Sequence, residues 1–191
     1  MTVSGPVLLR HASTVEPAGQ CTGQMDLPLD ASGRACASSI SSRWVGPAPK
    51  RIFSSDLVRA RDTAAALPRR PDSTTIYDPR LREISLGQWQ GQTWDNLYRE
   101  NPEQLEHWGQ HWLDSPPPGG ESGRQLFARV QQWYLEQRHL LDANTVVVAH
   151  AGSLRALSCL LQGLAAESMF EYQFHHCAPL QLLNQRPNKV I

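Results

Sequence analysis

The sequence predicts an α/β protein, a three-layer sandwich with a mostly parallel central sheet and helices on both faces. Three observations carry that expectation. Short apolar runs alternate with longer stretches of helical pattern. The run Val146–Ala149 is apolar and β-branched throughout, as in a strand buried on both sides. Proline-rich joins, from 14 Pro in 191 residues, stop the elements visibly.

Val7–Leu9 is a short buried strand ending at Arg10. Leu27–Leu29 leads into a helix from Ala31 to about Val45, capped by Asp30 or Ser32 and closed by Pro47 and Pro49. Arg51–Phe53 is a second strand. Ser54, Ser55 and Asp56 offer caps for a helix reaching about Leu67, where Pro68 stops it. Thr74–Tyr77 is a third strand, rich in β-branched residues. Thr93–Leu113 is helical in pattern, with Pro102 tolerated at a first turn. Ser115–Gly120 is a loop. Ser122–Leu141 forms a long helix with Leu126, Val130, Trp133 and Leu140 near one stripe. After the strand at Val146–Ala149 comes a helix from Gly152 to about Leu161. Two short strands are expected at Glu171–Phe174 and Leu180–Leu183, and Arg186–Ile191 reads as a frayed tail.

Composition narrows the function. Lys and Arg number 18, as do Asp and Glu, so the formal net charge is zero. That balance argues against a polybasic nucleic-acid binder and against an acidic disordered tail. A hydrophobic fraction of 40% can build a core. Met1–Pro6 has no basic start and no long apolar run, so no signal peptide is expected, and no stretch is apolar enough to span a membrane. Cys21, Cys36, Cys159 and Cys177 are widely spaced and form no metal-ligand pattern, which suits reduced thiols in a cytoplasmic protein. Trp89, Trp94, Trp108 and Trp112 crowd between the two β/α halves. They suggest a helical cap over about residues 86–122 of a single domain spanning 1–191, packing over or lining a pocket.

Parallel strands of α/β folds present ligand sites at their carboxyl ends. Here three strand ends deliver Arg10 and His11, Arg59, and His150. Glu83 lies in Arg80-Leu81-Arg82-Glu83-Ile84, ahead of the Trp89 region. Two guanidinium forks suit the oxygens of a phosphate or carboxylate. A histidine at a strand end can be a ligand, a base or a nucleophile. The helix opening after His150 presents N–H groups that favour an anion. A carboxylate repels a phosphate, so Glu83 makes better sense as an acid/base group. The residues alone therefore point to an anion site, phosphate or carboxylate.

At these positions the sequence resembles the histidine phosphatase superfamily, with its phosphoglycerate mutase-like fold. The family's strand-Arg-His-Gly stands here as Leu9-Arg10-His11-Ala12. Its Ser-Ser-x-x-x-Arg-Ala-x-x-Thr-Ala element is Ser54-Ser55-Asp56-Leu57-Val58-Arg59-Ala60-Arg61-Asp62-Thr63-Ala64. Arg80-Leu81-Arg82-Glu83, then Gly87 and Trp89-Gln90-Gly91, match a third element, and Pro118-Gly119-Gly120-Glu121-Ser122 a loop of the phosphatase branches. The last is Ala149-His150-Ala151-Gly152-Ser153-Leu154-Arg155-Ala156. Ala12 and Ala151 replace the usual glycines; each adds one methyl and leaves the backbone N–H free to donate.

The resemblance implies a metal-independent, cofactor-free phosphomonoester hydrolase. In it His11 takes the phosphoryl group as a phosphohistidine. Arg10, Arg59 and His150 clamp the transferring oxygens, and Glu83 serves as acid, then base. The segment Cys21-Thr22-Gly23-Gln24-Met25-Asp26-Leu27-Pro28-Leu29 resembles that of α-ribazole phosphatases of cobalamin biosynthesis. In that segment Thr22 and Gly23 are expected to reach the phosphate, and Gln24 to hold it or the ribose. Ala151 is expected to bind substrate too, and Glu121 and Ser122 to line the pocket mouth, unless Ser122 caps the helix that follows. The expected partner is a small-molecule phosphate monoester, with no nucleic acid and no membrane; the sequence leaves the oligomeric state open. Next in rank is a sugar-phosphate or phosphoglycerate phosphatase or mutase-like enzyme, and last a non-catalytic phospho-ligand binder. The adjacent His175 and His176 would point to opposite faces of a strand, in structural roles.

Overall fold

The computed structural model describes residues 5–181. Its centre is a five-stranded sheet of β1 (Val7–Arg10), β2 (Arg51–Ser54), β3 (Thr74–Tyr77), β4 (Thr145–Ala149) and β5 (Pro179–Gln181). The strand order is β3-β2-β4-β1-β5. The first four are parallel, and β5 adds an antiparallel edge against β1. Among the described residues, six α-helices accompany them: α1 (Ala31–Arg43), α2 (Val58–Ala65), α3 (Trp94–Glu100), α4 (Pro102–His111), α5 (Gly123–Gln137) and α6 (Ala151–Gln162).

The period-two alternation of the strands divides the core into two layers. Leu8, Phe53 and Val147 face α5 and α6, where they meet Leu126, Val130, Trp133, Leu154 and Leu157. Their neighbours Leu9, Ile52, Val146 and Val148 face the opposite way, onto Ala37 and Ile40 of α1 and Ala60 and Ala64 of α2. Every residue of β4 is buried, as its continuous apolar run requires. A third, smaller cluster of Cys21, Leu86, Trp89 and Leu97 gathers Trp94, Leu105 and Trp108 between β3 and α5.

Several boundaries differ from expectation. The helical pattern of 93–113 splits in two, because Asn101 leaves helical geometry ahead of Pro102, which opens α4. The long helix after Ser122 ends at Gln137 and tightens into a 3-10 turn, Arg138–Leu140. Ser122 caps it through Gln125, in a reciprocal capping box. Asp30 caps α1, its carboxylate accepting from Gly33 N at 2.5 Å. None of Ser54, Ser55 and Asp56 caps α2; Leu57 holds that position, and Asp26 reaches in from a distant loop to accept from Val58 N at 2.6 Å. Asp56 instead pairs with Arg82.

The strand expected at Glu171–Phe174 does not form. The outer edge of β1 is taken by β5, and the segment instead follows the 3-10 turn Ala166–Glu171 as irregular chain. Its carbonyls at Tyr172 and Phe174 accept from Arg155 and Arg10 instead. The strand expected at 180–183 appears as Pro179–Gln181; its last residues and the tail at 186–191 lie outside the described residues. All four cysteines are free thiols. Among the described residues, no helix is long and apolar enough to cross a membrane.

Candidate active site

The site is set by register. Arg10 of β1 lies opposite Ala149 of β4, so the next residue of each strand, His11 and His150, leaves the sheet side by side. His11 N donates to Ala149 O at 3.0 Å, and the two imidazole centroids are 4.9 Å apart. β2 continues into Ser55, whose N–H donates to Val148 O, and then into the first turn of α2, which carries Arg59. Three strand ends thus converge on one point, where a parallel sheet can hold a ligand.

His11 is 6% exposed. Its Nδ1 lies 2.8 Å from Ala12 O. A carbonyl can only accept, so Nδ1 carries the proton and Nε2 keeps its lone pair. Burial above all, then the Arg59 charge, hold the His11 pKa well below its usual 6.5, despite the Ala12 bond. His150 is shifted the same way by its complete burial and by the charges around it. Both rings are therefore neutral at pH 6.5 and above.

Below about pH 6.5 the unfolded chain binds protons that the buried rings refuse, so stability is full above that pH and falls as pH drops through it. Each ring contributes a slope of up to about 1.4 kcal/mol per pH unit while only its unfolded form is protonated. The melting temperature is expected to fall between pH 6.5 and 5, above the window in which carboxylates titrate. Thermal melts across that interval check this, and a flat profile would contradict it.

Two guanidinium groups reach the same point. Arg59 is 1% exposed, and three of its donors are committed: Nε to His150 Nδ1 (3.3 Å), Nη1 to Met25 O (2.6 Å) and Nη2 to Gly23 O (2.8 Å). Arginine only donates, so His150 Nδ1 is the acceptor and its Nε2–H faces Ser55 Oγ at 2.9 Å. Arg10 donates through Nη1 to Phe174 O at 3.0 Å, while its buried Nε has no partner among the described residues. A buried, unpaired guanidinium donor is costly unless an acceptor arrives. Burial lowers the pKa of both arginines, and Glu83 opposes that shift.

Glu83 faces them across the cavity. Its Oε1 accepts from Gly152 N and from Ile84 N, both at 3.0 Å, and Oε2 lies 3.3 Å from Gly152 N. The carboxylate thereby sits at the N-terminus of α6. A Cβ on residue 152 would lie 2.3 Å from Glu83 Oε1, so only glycine permits this approach. The alanines at 12 and 151 are accommodated: Ala12 N donates to Thr63 Oγ1 at 2.9 Å, and Ala151 lines the cavity.

The cavity encloses about 370 Å³. Arg10, His11, Arg59 and Glu83 form its polar end. Trp94, Trp108, Trp112, Phe170, Met169 and Leu126 line the rest. Trp94 and Trp108 stack at 5.8 Å with 18° between their planes. Among the described residues, no group of three or more His, Cys, Asp or Glu is placed to hold a metal ion.

The remaining residues expected at the site divide. Thr22 and Gly23 line the cavity; the Thr22 hydroxyl donates to Glu16. Gly23 adopts a positive φ of 48°, and a Cβ there would strike Gln90 Oε1. Gln24 and Glu121 do not line the cavity. Gln24 is turned to structural partners, donating from N to Gln90 Oε1 (2.8 Å) and from Nε2 to Glu83 O (3.0 Å). Glu121, expected at the mouth, pairs with Arg129 at 2.7 Å.

Two further residues at the site receive no functional role from the sequence. His176, expected in a strand, sits in a turn with its ring 5.2 Å from that of His11. No periodicity could reveal this; the turn is held by Cys177 N donating to Arg10 O at 3.1 Å. Arg155 lies inside a family motif that gives it no role. It lines the cavity, donates from Nε to Tyr172 O at 3.0 Å, and lies 4.9 Å over the Phe170 ring.

Comparison with known proteins agrees with this geometry. Residues 7–189 match the model of the histidine phosphatase superfamily (branch 1). The chain is 35% identical over 179 residues to a glucosyl-3-phosphoglycerate phosphatase of Mycolicibacterium vanbaalenii, covering 88% of this chain and 78% of that protein. It is 33% identical over 183 residues to a 2,3-bisphosphoglycerate-dependent phosphoglycerate mutase of Brucella melitensis, covering 91% and 89%. The crystal structure of the α-ribazole phosphatase from Shigella flexneri superposes with a TM-score of 0.84 at 24% identity, covering 95% of this chain and 96% of that one, a likeness of fold.

Proposed function

The chain belongs to the histidine phosphatase superfamily, branch 1, and from that premise we propose that it hydrolyses phosphate monoesters through a phosphohistidine on His11, working as one domain with a Trp-rich cap. The observation that carries this reading is the free lone pair of His11 Nε2 in a cavity where Arg10 Nε is buried without a partner among the described residues. In the first step Nε2 attacks phosphorus, the P–O ester bond breaks, and the acid form of Glu83 gives its proton to the departing oxygen. In the second step water attacks the phosphohistidine. The P–N bond breaks and returns its electron pair to Nε2, and Glu83 takes the water proton. Arg10 and the two uncommitted Arg59 donors hold the equatorial oxygens as charge moves across them. His150, locked between Arg59 and Ser55, fixes Arg59 and packs beside His11.

The aromatic wall supports a leaving alcohol with a flat apolar group, and α-ribazole 5′-phosphate is the first candidate. Its base would lie against the Trp94, Trp108 and Trp112 side of the cavity. Arg155 favours a second reading. It brings a third guanidinium into the cavity and has no carboxylate ion-pair partner among the described residues, which suits an ester carrying a second acidic group, as in phosphoglycerates. The test is kcat/KM for orthophosphate release from α-ribazole 5′-phosphate, glucosyl-3-phosphoglycerate, 3-phosphoglycerate and ribose 5-phosphate. The first reading expects α-ribazole 5′-phosphate to lead. Leadership by the carboxylate-bearing esters would establish the second, and release from none would overturn both.

A further inference from the structure

Glu83 lies on an irregular stretch between the 3-10 turns Pro79–Leu81 and Gly87–Trp89. No ladder or helix satisfies its backbone, yet its carboxylate must meet the leaving oxygen within a few tenths of an ångström. The structure shows what holds it. Arg129 of α5 uses all its donor nitrogens on this stretch and on Glu121. Nη1 donates to Arg80 O (2.7 Å) and Arg82 O (2.9 Å), and Nη2 to Glu83 O (2.7 Å). Nε and Nη2 also donate to the two carboxylate oxygens of Glu121, at 2.7 and 3.0 Å. Glu121 closes the ring, accepting from Ser85 N at 2.8 Å while its own N–H donates to Ser85 O at 2.8 Å. From the opposite side Gln24 Nε2 donates to Glu83 O. Both charged partners are largely shielded, with side chains 18% and 22% exposed.

We propose that Arg129 and Glu121 are positioning residues for the leaving-group acid, a two-residue clamp that fixes the Glu83 backbone so that its carboxyl faces the ester oxygen. This rests on the reading of Glu83 as the acid. Neither clamp residue lines the cavity, so neither acts on substrate directly. Five directional bonds to three carbonyls and one carboxylate are a role that lysine cannot fill.

The test separates loss of the acid from general damage. An activated ester such as 4-nitrophenyl phosphate leaves without protonation, whereas an alkyl phosphate such as ribose 5-phosphate needs the proton. The parameter is kcat/KM, which reports formation of the phosphohistidine. Glu83→Gln is expected to lower it about 10²-fold or more for the alkyl ester and far less for the activated one. Glu121→Gln and Arg129→Gln are expected to reproduce that selectivity, with a loss of about tenfold or more on the alkyl ester, within about threefold on the activated one, and an unchanged inhibition constant for orthophosphate. Arg129→Lys should not restore the alkyl activity. If Glu83→Gln is selective while the clamp variants lose both substrates equally, or lose neither, the clamp is overturned and the acid stands. If Glu83→Gln itself shows no selectivity, the acid assignment fails and the clamp with it. Should Arg129→Gln not fold, Glu121→Gln and Arg129→Lys decide.

Discussion

His11→Ala is expected to abolish turnover, lowering kcat on the order of 10⁴-fold or more, the scale on which losing a covalent nucleophile is felt. The reason is local. The Ala12 carbonyl fixes the proton on Nδ1, and burial with Arg59 nearby keeps the ring neutral, so Nε2 keeps a free lone pair in this cavity, as the proposed attack on phosphorus requires. Alanine leaves the arginines in place and removes the atom that would form the P–N bond. Rapid quench with a ³²P-labelled ester should trap an acid-labile phosphoenzyme in the wild type and none in the variant. The fold should tolerate the change, because it removes a buried polar ring that makes one local hydrogen bond. A variant that still formed phosphoenzyme would move the nucleophile elsewhere.

Arg59→Lys is expected to be almost as damaging, although the charge is kept. Arg59 reaches Gly23 O, Met25 O and His150 Nδ1 at once, in an environment almost closed to water. An ammonium is a point charge and cannot serve three diverging acceptors while also holding a phosphate. The expected outcome is a fall in kcat/KM of about 10²–10³-fold, typical for loss of a transition-state donor. The orthophosphate inhibition constant should rise in parallel. Leaving buried acceptors unpaired costs about 1–3 kcal/mol each, so the melting temperature should drop as well. An unchanged inhibition constant would show that Arg59 organises the loop at 23–25 and does not touch the phosphate.

These two residues also show how much of the site is legible in the sequence. Strand ends and motif spacing single out Arg10, His11, Arg59, Glu83 and His150, and the structure gathers them at one point. They are legible because parallel strands carry the residues at their carboxyl ends to a common edge, whatever their separation in the chain. Gln24 and Glu121 are legible as near the site, but not their task. Each is a polar side chain in a loop, and nothing in a loop sequence says whether it faces a cavity or a neighbouring carbonyl. His176 defeats sequence reasoning because its segment has strand-like composition but turns instead, held by a hydrogen bond from Cys177 N to Arg10 O that no local pattern announces. Arg129 is invisible there, since a polar residue on an amphipathic helix reads as a solvated face.

By itself the sequence determined the α/β architecture, most of its strands and helices, the family and the cluster of charged groups. Strand alternation, proline stops and strand-end residues are local signals, and short-range sterics with burial suffice to read them. Only the tertiary structure decided the strand order, the proton position on His11, the need for glycine at 152 and the clamp on Glu83. These depend on distances between segments tens of residues apart, such as Gly152 N to Glu83 Oε1 at 3.0 Å or Arg129 Nη2 to Glu83 O at 2.7 Å. A hydrogen bond changes its worth within a few tenths of an ångström, and that precision exists only once the sheet and its helices have packed.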